Sequence, residues 1–174
     1  GHGMVAPLKS CDAGRVAGIL NLQARVYLED GRFEDADRVL VKGIGLAQFT
    51  NDRVTVGFMT VQRGEAALGL GDLQRVEELT QAGLASLSED DYIPFCLAWT
   101  NLAEVALVRG DAVGAAEALR RVVGKAHLHT RRERIFLVAV AGLLLLDRPD
   151  EDERGLAARA MNATRLLAYV SATS

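Results

Sequence analysis

Residues 27–36 read Tyr27-Leu-Glu-Asp-Gly31-Arg-Phe-Glu-Asp-Ala36. The same plan returns as Ala67-Leu-Gly-Leu-Gly71-Asp-Leu-Gln-Arg-Val76 and again as Ala106-Leu-Val-Arg-Gly110-Asp-Ala-Val-Gly-Ala115. Gly31, Gly71 and Gly110 stand 40 and 39 residues apart. A period of that length belongs to arrays of helical hairpins. Upstream of Gly31, Val16, Ile19, Leu20, Ala24 and Tyr27 recur at three- and four-residue steps, which is one face of a helix. Downstream, Phe33, Ala36, Leu40 and Leu46 form a second stripe. Glycine suits the join, because a helix commonly ends in a left-handed residue that only glycine adopts cheaply. Asp72 and Asp111 follow their glycines and are placed to cap the next helix by accepting from its free amides.

Other boundaries carry similar chemistry. Thr130-Arg-Arg-Glu133 is a capping box, Pro94 follows Asp90 and Asp91 as an early helical proline, and Asn51-Asp52 marks another start. Asp147-Arg-Pro-Asp-Glu-Asp152 is the most loop-like stretch. The pattern predicts eight helices over about 12–30, 33–49, 53–70, 73–87, 92–109, 112–128, 131–147 and 152–170, with bounds good to about two to four residues. No strand pattern extends beyond a few residues. Gly1-His2-Gly3 ahead of Met4 reads as a tag remnant, 4–11 as an N-terminal extension, 12–170 as one repeat domain and 171–174 as a tail.

Composition agrees. The 174 residues are 49% hydrophobic and 25% charged, which excludes wholesale disorder. Aromatics are 5% and prolines three, poor material for a β-sandwich. A net charge of −3 argues against a protein devoted to nucleic acid. Two cysteines make no disulfide scaffold. Arginine outnumbers lysine 17 to 3, in keeping with a GC-rich bacterial genome. The longest apolar run, Ile135 to Leu146, is shorter than the roughly 18 residues a bilayer crossing needs, and reads as a buried helix. With no export signal and no disulfide pattern, the expected compartment is the cytoplasm.

These residues resemble the tetratricopeptide repeat family. The third unit matches best, with Trp99, Leu102, Ala103, Ala106, Gly110, Ala115 and Leu119. The first unit matches with Leu20, Ala24, Tyr27, Gly31, Phe33, Ala36 and Leu40. In the second, Gly64, Ala67, Gly71 and Leu73 fit, while Thr60, Val76 and Thr80 depart. The fourth hairpin, from Thr130, matches by apolar pattern alone and lacks the joining glycine. Ala24, Gly64 and Ala103 precede the joining glycines by seven residues, where a small side chain lets two helices approach inside the usual spacing of about 8–10 Å. The resemblance implies an all-α, right-handed α-solenoid of about four hairpins. The period exceeds the family's usual length of about 34, and is similar to that of the repeat regions of large bacterial transcription activators and peptide-sensing regulators.

Elsewhere the candidates for chemistry are thin. Gly43-Ile-Gly45 lies in a helical pattern without the preceding strand that a dinucleotide site requires. His127 and His129 are two apart and point to different helix faces, so no metal site is expected. Cys11 and Cys96 are isolated, and no nucleophile, base and orienting group can be assembled into a catalytic set. The acidic runs 88–91 and 150–153 suit helix N-termini. Arg120, Arg121, Lys125, Arg131, Arg132 and Arg134 lack the interleaved aromatics of a nucleic-acid surface. No cofactor is expected.

The resemblance places the ligand-facing side of the array on the first helix of each hairpin, at Asn21 and Arg25, Val61 and Glu65, and Thr100 and Glu104, then Val138 and Gly142. One arginine, one asparagine and two glutamates suit a partner carrying Arg or Lys better than an acidic tail. Alternatively, Arg25 and Glu65 pair with each other across neighbouring hairpins. The last helix carries Leu166, Leu167 and Tyr169 on more than one stripe, a surface for a second copy or a further segment. The expectation is a non-catalytic module binding a protein or peptide. The alternative is a sensor segment of a larger bacterial transcription regulator, binding a peptide or small inducer.

Overall fold

The computed structural model describes residues 10–123. All regular structure among them is helical: α1 (Ser10–Glu29), α2 (Phe33–Phe49), α3 (Arg53–Gly69), α4 (Leu73–Leu84), α5 (Tyr92–Val108) and α6 (Ala112–Val123). The seventh and eighth expected helices lie outside the described residues, as does the end of the sixth. Two compact units divide at Asn101 and Leu102, inside α5. No helix among the described residues is long and apolar enough to cross a membrane.

The three repeated glycines do what their spacing predicts. Gly31, Gly71 and Gly110 have φ of +73°, +78° and +76°. Behind each, the next amide reaches back across the last turn: Arg32 N–H to Tyr27 O at 2.8 Å, Asp72 N–H to Ala67 O at 3.0 Å, and Asp111 N–H to Ala106 O at 2.8 Å. That is the Schellman closure, and it satisfies carbonyls a helix end would leave open. Asn51, at φ 54°, makes the same closure between α2 and α3, with Asp52 N–H donating to Ala47 O at 2.9 Å. Asp72 and Asp111 cap as expected, accepting from Arg75 N–H at 3.1 Å and Gly114 N–H at 2.9 Å. Asp52 caps α3 likewise through Thr55 N–H at 3.0 Å.

Two bounds differ from the expectation by more than one residue. α1 begins at Ser10, inside the stretch read as an extension, with Asp12 in its first turn. α4 ends at Leu84 rather than 87, tightened by three-residue hydrogen bonds from Ser86 N–H to Gly83 O and Leu87 N–H to Leu84 O. Asp91, at the start of α5, turns back to accept from Ser88 N–H and Oγ, both at 2.8 Å, which holds its carboxyl below the usual carboxylate range.

In the first unit α1 packs on α2, α2 on α3 and α3 on α4. Ala17, Ala24, Leu40, Ala47 and Met59 form one buried cluster; Leu28, Ala36 and Ala66 form another, flanked by Tyr27 and Phe33. The α3–α4 crossing is closer still. A Cβ on Gly83 would fall 2.5 Å from Val61 Cγ2 and 3.0 Å from Gly57 O, and one on Gly64 would fall 2.7 Å from Thr80 Oγ1. Asp37 on α2 ties the two hairpins together, accepting from Arg63 of α3 at 2.7 Å and Arg75 of α4 at 2.9 Å. Trp99 is half-buried, set edge-on to Phe95 with ring centroids 6.1 Å apart. In the second unit Ala103, Val105, Ala115, Ala118, Leu119 and Val122 are buried.

The buried polar groups divide. Asn101 Nδ2 donates to Val61 O at 3.1 Å and lies 3.5 Å from Thr80 Oγ1. Gln62 is fully buried, yet neither of its amide atoms has a hydrogen-bond partner among the described residues. A buried amide left unpaired costs about 1–3 kcal/mol. Gln62→Leu is therefore expected to stabilise the fold by about 1–2 kcal/mol in urea denaturation, whereas Asn101→Leu, which strips a bonded partner from Val61 O, destabilises by a similar amount. Gly64→Ala should cost about 1–3 kcal/mol by overpacking, since buried Thr80 cannot swing away. Gly71→Ala enters open space, so only its backbone conformation opposes it, at about 1 kcal/mol. Equal effects for the two glycine variants would show that the α3–α4 crossing is not the tight point.

Candidate functional site

α3 is crowded on two sides, against its own partner α4 and against the hairpin before it, whereas α1 packs on α2. The places the resemblance assigns to a ligand therefore do not share one environment. Asn21 on α1 is half-buried between Ala17 and Ala24, and its Oδ1 is buried without a hydrogen-bond partner among the described residues. Arg25 is partly exposed and lies 3.7 Å from Glu29, one turn along its own helix. Glu65 is half-buried on α3. Glu104 is half-buried and belongs to the second unit.

Val61 and Thr100 face inward instead. Val61 is fully buried at the glycine crossing with α4, and its carbonyl is taken by Asn101. Thr100 is buried, with its hydroxyl donating to Cys96 O at 2.9 Å. Neither offers a side chain to a ligand. The reason is the missing Cβ of Gly83, which brings α4 close enough to enclose Val61, and the ease with which a helical threonine bonds its own preceding turn.

Sequence reasoning missed the apolar side chains beside these places. Val54, Phe58, Glu65 and Leu68 recur at helical spacing on one side of α3 and keep some exposure, on either side of the buried Val61 in the middle of the series. On α1, Gly14 and Gly18 hold the corresponding places forty residues earlier, exposed and with nothing within 4 Å of where a Cβ would stand. The α3 face thus offers apolar side chains with one carboxylate among them, where the matching places of α1 hold Gly14, Gly18, Arg25 and the buried Leu28. A signal for this was present in the i, i+4, i+11, i+14 spacing of Val54, Phe58, Glu65 and Leu68.

Cys96 is buried and Cys11 exposed. Among the described residues no group of three or more His, Cys, Asp or Glu side chains is placed to hold a metal ion. Gly43 and Gly45 lie inside α2, and a Cβ on Gly43 would meet Met59 Sδ at 2.7 Å, so the first of them is a packing glycine. Arg120 and Arg121 lie exposed on α6. His127, His129, Val138, Gly142, Leu166, Leu167 and Tyr169 lie outside the described residues. No protein-family model matches the chain, and no curated protein matches it.

Proposed function

We propose that the chain is a non-catalytic protein-interaction module of the tetratricopeptide type, a right-handed stack of about four hairpins that holds a protein or peptide against its first helices. The observation that carries this reading is the partly exposed strip of Val54, Phe58 and Leu68 around Glu65 on α3. Apolar side chains fixed on a helix serve as anchors, and little ordering entropy is lost when a partner docks on them. The Glu65 carboxylate within the strip suits a partner that sets Arg or Lys beside an apolar residue. Hairpin closures repeated at Gly31, Gly71 and Gly110 support the family reading.

Selection of a phage-displayed random peptide library on the protein tests it. Enriched peptides are expected to pair an apolar residue with Arg or Lys. Their affinity, read by fluorescence polarisation, should fall about tenfold in Phe58→Ala, and Glu65→Lys should turn the selection toward acidic sequences. No enrichment, or enriched peptides that bind both variants as well as the wild type, overturns the reading.

A further inference from the structure

The joining glycines give a common register for the three first helices. Twelve, nine and five residues before Gly71 stand Met59, Gln62 and Ala66 of α3, each 0% exposed. The same places before Gly110 hold Ala98, Asn101 and Val105 of α5, at 0%, 1% and 2%. Before Gly31 they hold Ile19, Leu22 and Val26 of α1, at 63%, 68% and 55%. In α3 this is the stacking face: Met59 joins the cluster of Ala17, Ala24, Leu40 and Ala47, and Ala66 joins Leu28 and Ala36. α1 thus presents a stacking face that is apolar and uncovered, where the end of a repeat array carries polar residues.

Charge on that face selects the occupant. Arg15 precedes Ile19 by one turn on the same side of α1, and Glu29 and Asp30 follow Val26. All three are exposed; Glu29 has Arg25 at 3.7 Å, with side chains 55% and 41% exposed. With exposed Asp12 one turn before Arg15, the face reads acidic, basic, apolar, apolar, apolar, acidic from one end to the other. Turned end for end, Leu22 meets Leu22 across a two-fold axis, each Arg15 reaches the Glu29–Asp30 end of the other helix, and Asp12 falls beyond that end. A parallel pairing would set like charges together.

We propose that α1 is a self-association surface, on which a second copy of this chain docks antiparallel through Ile19, Leu22 and Val26. The contact is isologous, as two-fold dimers are. One helix pair buries less than the roughly 800 Å² per partner of a standard interface, so the dimer is reversible and dissociates on dilution. It is separate from the α3 strip: Phe58→Ala leaves it intact.

Sedimentation velocity on the full chain tests this across about 1 to 500 µM, the range a contact of this size spans. The wild type is expected to pass from monomer to dimer. Leu22→Glu and Ile19→Glu, both at exposed places, should remain monomeric with unchanged circular dichroism. Arg15→Glu should weaken association about tenfold, and adding Glu29→Arg and Asp30→Arg should restore it, which only antiparallel pairing allows. A wild type that stays monomeric throughout overturns the proposal and leaves the face to a preceding hairpin. A dimer that persists in both Leu22→Glu and Ile19→Glu overturns it too, and places the contact elsewhere on the chain.

Discussion

Two helices cross most closely where neither carries a side chain, and α3 and α4 meet that condition at Gly57 and Gly83, while Gly64 makes room for Thr80. Much of the second hairpin follows from this. The closeness encloses Val61 completely and brings Thr80 to the inside, where its hydroxyl lies 3.5 Å from the Asn101 amide of α5. Asn101 in turn takes the Val61 carbonyl, so the start of the third hairpin is held by polar groups that the glycine crossing delivers. The first hairpin solves the same problem with Ala17 and Ala24, and spends its glycine differently: Gly43 makes room for Met59 of the next hairpin.

The joints were legible in the residues because their chemistry is local. A left-handed glycine acts within six residues, joined by a capping aspartate at Asp72 and Asp111, and α2, which has no side-chain cap, still spans the expected 33–49. Asn51 is the same joint built with the other residue type that tolerates a positive φ, and its pairing with Asp52 marked the boundary without revealing the closure. The early end of α4 was less visible, since Ala85, Ser86 and Leu87 carry no strong stop signal.

The binding face was harder to read for a different reason. A helix with one buried face shows a clear stripe, but a first helix in a stack buries two. α3 buries Gly57, Val61 and Gly64 toward α4, and Met59, Gln62 and Ala66 toward the hairpin before it. Little contrast is left to show which of the remaining side chains meet solvent. The family register pointed to Val61 and Thr100, and both are buried. Phe58 and Leu68, which the register did not single out, keep the exposure instead. Gln62 and Asn101 make the same point: equivalent places and similar chemistry, yet only the shorter side chain finds its partners.

The Asp37 carboxylate has a consequence for how the first two hairpins come apart. Stacked hairpins touch only their neighbours, so the cooperativity of unfolding resides in the strength of each junction. Asp37 grips both helices of the following hairpin, through Arg63 and Arg75, and detaching that hairpin breaks two ion pairs at once. Such half-exposed pairs are worth about 0.2–1 kcal/mol each and fade as salt rises. Ionic strength thus acts on the seam between hairpins and spares their apolar interiors. It is a dial that moves the two hairpins between melting as one body and melting one after the other.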